Sequence, residues 1–237
     1  MSRVLVVTGT DTDVGKTVVT AALAAALGRT GSVAVDKPVQ TGVRPGEPGD
    51  VEEVARLAGV ADTSVGARLT RPMAPVQAAR REAATPAAMP TLAEHVTRIV
   101  DLAEGTGGTV LVEGSGGLLV QLDDSRHTIA DLADALRRHP GLGTSVVVVA
   151  RAGLGTLNHT ELTLEALRAR GLPVAGIVIG SWPREPDEIV LDNRDHLGAL
   201  GVPLLGAIPE GAPRLAPETF RREAPGWLPG LVSRPTG

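Results

Sequence analysis

Six short runs rich in Val, Leu and Ile, at residues 3–8, 32–36, 109–112, 145–150, 174–179 and 203–208, recur along the chain. They do not alternate cleanly between apolar and polar residues, as half-solvated strands would. Strands apolar on both faces belong to a parallel sheet covered on both sides. Parallel neighbours need a crossover, and segments 16–27, 51–57, 91–103, 128–138, 156–170 and 187–200 read as the helices that supply it. The alternation predicts an α/β fold: a doubly wound, mainly parallel sheet flanked by helices, in a single domain over residues 1–237. Within it, residues 37–49 read as turn formers. Asp50 reads as the N-cap of helix 51–57, with Glu53 completing a capping box. The stretch 61–90, broken by Pro72, Pro75, Pro86 and Pro90, yields no clear element, and no repeat or linker divides the chain.

Of the 237 residues, 43% are apolar and 21% charged, enough for a full core and too apolar for disorder. A net charge of −4 argues against a nucleic-acid partner, which would call for a basic face. Two Trp and one Phe (Trp182, Phe220, Trp227) give no stacking platform for single strands. The absence of cysteine excludes disulfides, thiolate metal sites and thiol nucleophiles together. No run approaches the roughly 18 apolar residues of a spanning helix, and the apolar run at the N-terminus is too short for a signal peptide. The expectation is a soluble, cytoplasmic protein with no membrane partner. Among 23 cationic residues only Lys16 and Lys37 are lysines. Where Arg replaces Lys so widely, a surviving lysine marks a place that needs a compact ammonium rather than a planar guanidinium.

Lys16 lies in G-T-D-T-D-V-G-K-T, residues 9–17, between the first strand and the first helix. This is a variant of the phosphate-binding pattern G-x-x-x-x-G-K-[ST], with Thr10 where the first Gly usually stands. Backbone N–H groups of such a loop converge on a β-phosphate, Gly15 allows close approach, Lys16 reaches the β- and γ-phosphates, and the Thr17 hydroxyl ligates Mg²⁺. The motif implies the phosphate-loop NTPase fold and nucleotide binding, and it leaves the reaction open.

Lys37 belongs to D-K-P-V-Q-T-G, residues 36–42, where the second strand ends. Strand ends of a parallel sheet face the ligand crevice, so Lys37 points a second ammonium at the same phosphates, with the Thr41 hydroxyl behind it. Glu113 ends the strand 109–112 and begins E-G-S-G-G. A carboxylate there sits where phosphate-loop enzymes keep the acid that holds Mg²⁺, and unpaired it would be costly to bury.

Five segments in this order and spacing, G-T-D-T-D-V-G-K-T, D-K-P-V-Q-T-G, V-E-G-S-G-G, G-L-G-T-L-N-H-T and P-L-L-G-A-I-P, make the chain resemble the dethiobiotin synthetases over residues 4–209. The resemblance implies an ATP- and Mg²⁺-dependent cyclo-ligase. It joins CO₂ to 7,8-diaminopelargonate through a carbamate and a carbamic-phosphoric anhydride, giving the ureido ring, ADP and phosphate. It implies Lys16, Lys37 and Thr12 as catalytic groups, with Lys37, Thr12 and Thr41 on diamine and carbamate. Nucleotide contacts fall to Asp13, Val14, Gly15, Lys16, Thr17 and Val18, to Asp50, and to Glu113, Gly114, Ser115 and Gly116. Metal ligands are Thr17, Asp50 and Glu113. The helix start Gly155, Thr156, Leu157 and Asn158 binds the substrate's tail carboxylate from the other subunit of a homodimer; the alternative is Thr156 or Asn158 as an ordinary cap. His159 reads as packed or solvated, and His95, His127, His139 and His196 carry no role.

After strand 174–179 the family commonly places an Asn that reads the base, then Asp. Here Gly180 and Ser181 stand instead, which implies a loose base preference open to CTP or other triphosphates. Pro209 and Glu210 are placed near the base by position, and the tail 211–237 has no counterpart in the resemblance. Two rivals fit less well. A related amidoligase would carry an amidotransferase half with a catalytic Cys. A partitioning or division ATPase would carry an early loop Lys where this chain has Asp11, and a basic face or amphipathic end for DNA or membrane.

Overall fold

Strand β1 (Ser2–Gly9) is buried from Val4 onward and lies between β4 (Thr109–Gly117) and β5 (Leu142–Ala150), parallel to both. The computed structural model describes residues 2–82 and 89–232, so part of the unread stretch and residues 233–237 of the tail fall outside the described residues. With β2 (Val33–Gln40), β3 (Asp62–Arg68), β6 (Val174–Trp182) and β7 (Leu204–Pro209), the strands form one parallel sheet in the order β3-β2-β4-β1-β5-β6-β7. The chain runs outward from β1 to one edge, returns at β4, then runs to the other edge. The reversal opens a crevice beyond the carboxyl end of β1.

Helices α1 (Lys16–Leu27), α2 (Asp50–Ala58) and α8 (Pro217–Trp227) cover one face, where Leu5, Leu23, Leu57, Leu111 and Phe220 share a core. The other face is covered by α3 (Pro75–Glu82), α4 (Leu92–Thr106), α5 (Ile129–Arg138), α6 (Thr156–Ala169) and α7 (Glu188–Gly198), closing over Val6, Ile99, Leu132 and Leu164. The short α9 (Pro229–Val232) follows α8. Among the described residues no helix is long and apolar enough to cross a membrane.

The helix starts differ in a way that bears on function. Thr91, Thr128 and Asp187 cap α4, α5 and α7 with their side chains. By contrast α1 and α6 begin at Gly15 and Gly155, both at positive φ and without a side-chain cap. Neither start has a side chain to satisfy its first N–H groups, although the Thr156 N–H reaches the Gly153 carbonyl at 3.3 Å.

Four local expectations need correction. Strand β2 runs on through Gln40, where turn formers are expected. Asp36 is its last residue paired with β4, so beyond it the strand keeps only β3 as a neighbour and tolerates Pro38 as an edge would. The N-cap of α2 is Gly49, not Asp50, and its capping partner is Glu52, whose carboxylate accepts from the Gly49 N–H at 2.7 Å, rather than Glu53. The unread stretch holds β3 and α3, and the unassigned tail supplies α8. Thr156 is not a cap either: its hydroxyl donates to the Arg151 carbonyl at 2.7 Å.

Candidate active site

The loop after β1 bends through Asp13 at φ 56° and Gly15 at φ 95°, then enters α1. Its shape is fixed from three sides. Arg151, at the end of β5, donates to the Asp11 carboxylate at 3.0 Å and the Thr12 carbonyl at 2.9 Å. Lys16 Nζ donates to the Asp11 carbonyl at 3.0 Å, closing the loop over its own ammonium. From behind, the Gly180 backbone presses so close that a Cβ on Gly15 would lie 2.6 Å from the Gly180 carbonyl oxygen. Two glycines meet there because neither position has room for a side chain.

Beside the loop, Lys37 reaches across from β2. Its ammonium sits 2.8 Å from Glu113 Oε1, 2.5 Å from Asp50 Oδ2 and 3.0 Å from the Gly114 carbonyl. Lys37 is 3% and Glu113 1% exposed, whereas Asp50 opens to the cleft. The Thr17 hydroxyl donates to the same Glu113 oxygen at 2.9 Å. Glu113 Oε2, also buried, has no hydrogen-bond partner.

Charge is balanced within this cluster. Burial would lower the Lys37 pKa, but Glu113 and Asp50 outweigh it and hold it above the usual lysine value. Burial raises Glu113 above the ordinary carboxylate range against the pull of Lys37. Asp50 is also desolvated, yet Lys37 outweighs that and holds it below its usual value. For Lys16, burial and then the nearby Lys37 charge lower the pKa, so an anion between the two ammoniums would relieve both.

These groups open on a cavity of about 730 Å³. Thr12, Asp13, Gly15, Lys16, Thr17 and Val18 line one wall, Lys37, Thr41 and Asp50 another, and Glu113, Ser115 and Gly116 a third. Three loops far apart in sequence thus meet as the motifs require. Other expected site residues do not line it. Val14 is buried, with its carbonyl against Gly180, and Gly114 turns its carbonyl to Lys37. Gly180, Ser181, Pro209 and Glu210 lie behind the loop at the ends of β6 and β7, where the Glu210 N–H donates to the Trp182 carbonyl at 2.7 Å. Gly155, Thr156, Leu157 and Asn158 stand at the start of α6, outside this cavity. The motif reading missed Arg151 and Gln40, whose side chain is buried beside Asp50.

The donor set around Glu113 suits a hard divalent cation. A carboxylate with an unpartnered buried oxygen, a second carboxylate and a hydroxyl are all oxygen ligands, the kind Mg²⁺ takes.

The family model described as "AAA domain" matches residues 3–219. The ATP-dependent dethiobiotin synthetase BioD of Streptomyces coelicolor is 52% identical over 95% of this chain and 91% of its own length. The enzyme of that name from Rhodococcus jostii is 53% identical over 95% and 94%. The chain belongs to the dethiobiotin synthetase family. Solved structures with the same fold include the cell division ATPase MinD of Pyrococcus furiosus, at TM-score 0.51 and 20% identity over 100% of this chain and 93% of that one. FtsY of Elizabethkingia anophelis, in complex with GDP, aligns at TM-score 0.53 and 13% identity over 95% and 64%. At such identities they speak for the fold alone.

Proposed function

We propose that this chain, acting as one unit over residues 1–237, is an ATP-dependent dethiobiotin synthetase of biotin biosynthesis that closes a ureido ring on 7,8-diaminopelargonate with CO₂. The observation that carries the reading is the buried Lys37 ammonium, held between Glu113 and Asp50 at the mouth of a phosphate loop that bears the only other lysine. One substrate amine adds to CO₂, losing a proton to form a carbamate. A carbamate oxygen then attacks the γ-phosphorus of ATP, expelling ADP. The second amine attacks the carbamoyl carbon of the anhydride, releasing phosphate and a proton as the ring closes. The substrate supplies every nucleophile, so the protein's part is positioning and charge neutralisation, in keeping with a chain that has no cysteine.

Lys16 and Lys37 neutralise the transferring phosphoryl group and the carbamate, while Thr12 and Thr41 contact diamine and carbamate. The backbone from Asp13 to Val18 and at Gly114, Ser115 and Gly116 cradles the phosphates. Thr17, Asp50 and Glu113 would hold Mg²⁺, directly or through water. An ion held there would supply charge shielding for the phosphates. Gly155, Thr156, Leu157 and Asn158 take the tail carboxylate from the second subunit of a homodimer, through the uncapped start of α6.

Base preference is loose in this reading. Gly180 abuts the Val14 carbonyl with no room for a Cβ, so no side-chain amide can stand at that position, and backbone at Ser181, Pro209 and Glu210 is left to meet the base. The test supplies ¹⁴C-bicarbonate, Mg²⁺ and the diamine with ATP, CTP or GTP in parallel, and counts acid-stable label beside released phosphate. Label only with the diamine, at one phosphate per ring and within a hundredfold for all three triphosphates, is expected. Phosphate without label would overturn the reaction, and a larger preference for ATP would overturn the base reading alone.

A further inference from the structure

The side chain of Gln40 is buried at the end of β2, on the wall of the cleft that carries Lys37, Thr41 and Asp50. Its Oε1 accepts from the Asp50 backbone N–H at 2.8 Å, and its Nε2 donates to the Thr41 carbonyl at 3.1 Å. A donor on one side and an acceptor on the other fix which end of the amide is which. The neighbouring N-cap of α2 is a glycine, and a Cβ there would lie 2.7 Å from Gln40 Oε1. A Ser or Asp in that place would supply the usual cap; here the cap arrives from the preceding strand instead. Asp50 is the first residue of the helix so capped, and its carboxylate holds Lys37, which sits three residues before Gln40 on the same strand.

We propose that Gln40 is a positioning residue: by capping α2 from β2 it aims the Asp50 carboxylate at Lys37, while the bond from Nε2 to the Thr41 carbonyl holds the amide in the orientation that makes the cap. The inference rests on the reading above that Asp50 serves the reaction. A distortion of a fraction of an ångström at Asp50 would be felt at the Lys37 ammonium, since no other side chain among the described residues bonds the Asp50 N–H.

The experiment is a double-variant cycle on the full chain. Gln40→Met keeps the volume and removes both polar contacts, and Gln40→Glu keeps an acceptor near the Asp50 N–H. Each is made alone, and Gln40→Met also in the Asp50→Asn background. Gln40→Met should lower kcat by about ten- to a hundredfold, Gln40→Glu should recover most of that, and Gln40→Met should cost nothing further once Asp50 is Asn. Losses that multiply in the double variant would make Gln40 merely structural and overturn the proposal.

A second readout is independent of turnover. The chain has only two lysines, so protein labelled at lysine Cε gives two side-chain signals. The Lys37 signal should move in Gln40→Met while that of Lys16 stays. An unmoved Lys37 signal overturns the proposal even if activity falls. Should Asp50→Asn alone keep full kcat, the role of Asp50 in the reaction fails, and the lysine signals still decide whether Gln40 holds it.

Discussion

The Lys37 ammonium has three N–H bonds and three acceptors at 2.5, 2.8 and 3.0 Å, so its donors are fully used before any ligand arrives. In the proposed reaction a carbamate oxygen entering the cleft takes the place of one of these, and Asp50, the partner open to the cleft, is the one free to yield. A guanidinium could not imitate this. Its donors lie in one plane and spread over three nitrogens, and the site, with Lys37 3% exposed, has no space for the fork. Lys37→Arg and Lys37→Ala should therefore both lose turnover by about a hundredfold or more, with nucleotide affinity largely kept because the phosphate loop and Lys16 remain. Steady-state kcat beside the Kd for a fluorescent nucleotide checks this. Near-normal turnover in the Arg variant would show that charge alone suffices. The lysine was legible in the sequence through its rarity, but its three partners were not. Glu113 announced itself as a strand-end acid, whereas the Gly114 carbonyl carries no signature in sequence, and Asp50 could be read as a helix cap until Gly49 was seen to hold that position.

Elements with continuous apolar runs were read closely from the sequence: α1 matches residue for residue, and β1, β5 and β6 differ only at their ends. What escaped lacks the apolar signal. Strand β3, Asp-Thr-Ser-Val-Gly-Ala-Arg, is an edge strand with no fully buried residue, so neither period nor hydropathy marks it. The extension of β2 was masked by Pro38, which only the parting of β2 from β4 makes tolerable. Behind that extension lies a buried polar network that periodicity could not foresee. Asp36 accepts from Ser64 at 2.6 Å and from Arg98 Nε at 2.8 Å, and the Arg98 guanidinium meets His95 Nδ1 at 2.9 Å. A guanidinium can only donate, so Nδ1 accepts and the His95 proton stays on Nε2, which is buried without a partner. Burial first, then the Arg98 charge, lower the His95 pKa from 6.5 to about 4. The unfolded chain therefore binds this proton at a higher pH than the folded one. His95 contributes its stability in full above pH 6.5, and that contribution, about 3 kcal/mol, is lost as the pH falls from 6.5 through 4. Urea unfolding of the wild type and of His95→Asn between pH 4 and 8 tests it. The difference between them should shrink or reverse on the acid side, and parallel curves would show that His95 titrates normally.

At the scale of the whole molecule, the apolar surface left over points beyond one chain. Among the described residues, Leu154 is 80% exposed, Leu162 56% and Leu119 53%. Leu119 and Leu162 border a shallow cavity of about 360 Å³ shared with Thr10, Asp11 and Thr12 of the phosphate loop, and Leu154 immediately precedes the uncapped start of α6. Apolar side chains gathered beside the phosphate loop and a helix N-terminus without a side-chain cap are what a self-complementary contact would cover. If that contact carries the helix start of one subunit to the cleft of the other, each active site draws on two chains, and two kinds of damaged subunit can repair one another. Lys37→Ala spoils the cleft and leaves Gly155–Asn158 intact. Asn158→Asp sets a carboxylate against the substrate's own and leaves the cleft intact. Random mixing puts half the dimers in the hybrid form, and each hybrid holds one cleft and one helix start that are both undamaged. Co-refolded in equal amounts, two nearly inactive variants should therefore regain about a quarter of wild-type kcat, with a wild-type KM for the diamine. Activity no greater than the sum of the two parents would mean that the helix start serves its own chain or none, and the tail carboxylate would then have to be sought along Pro72–Pro75, the remaining wall of the cleft.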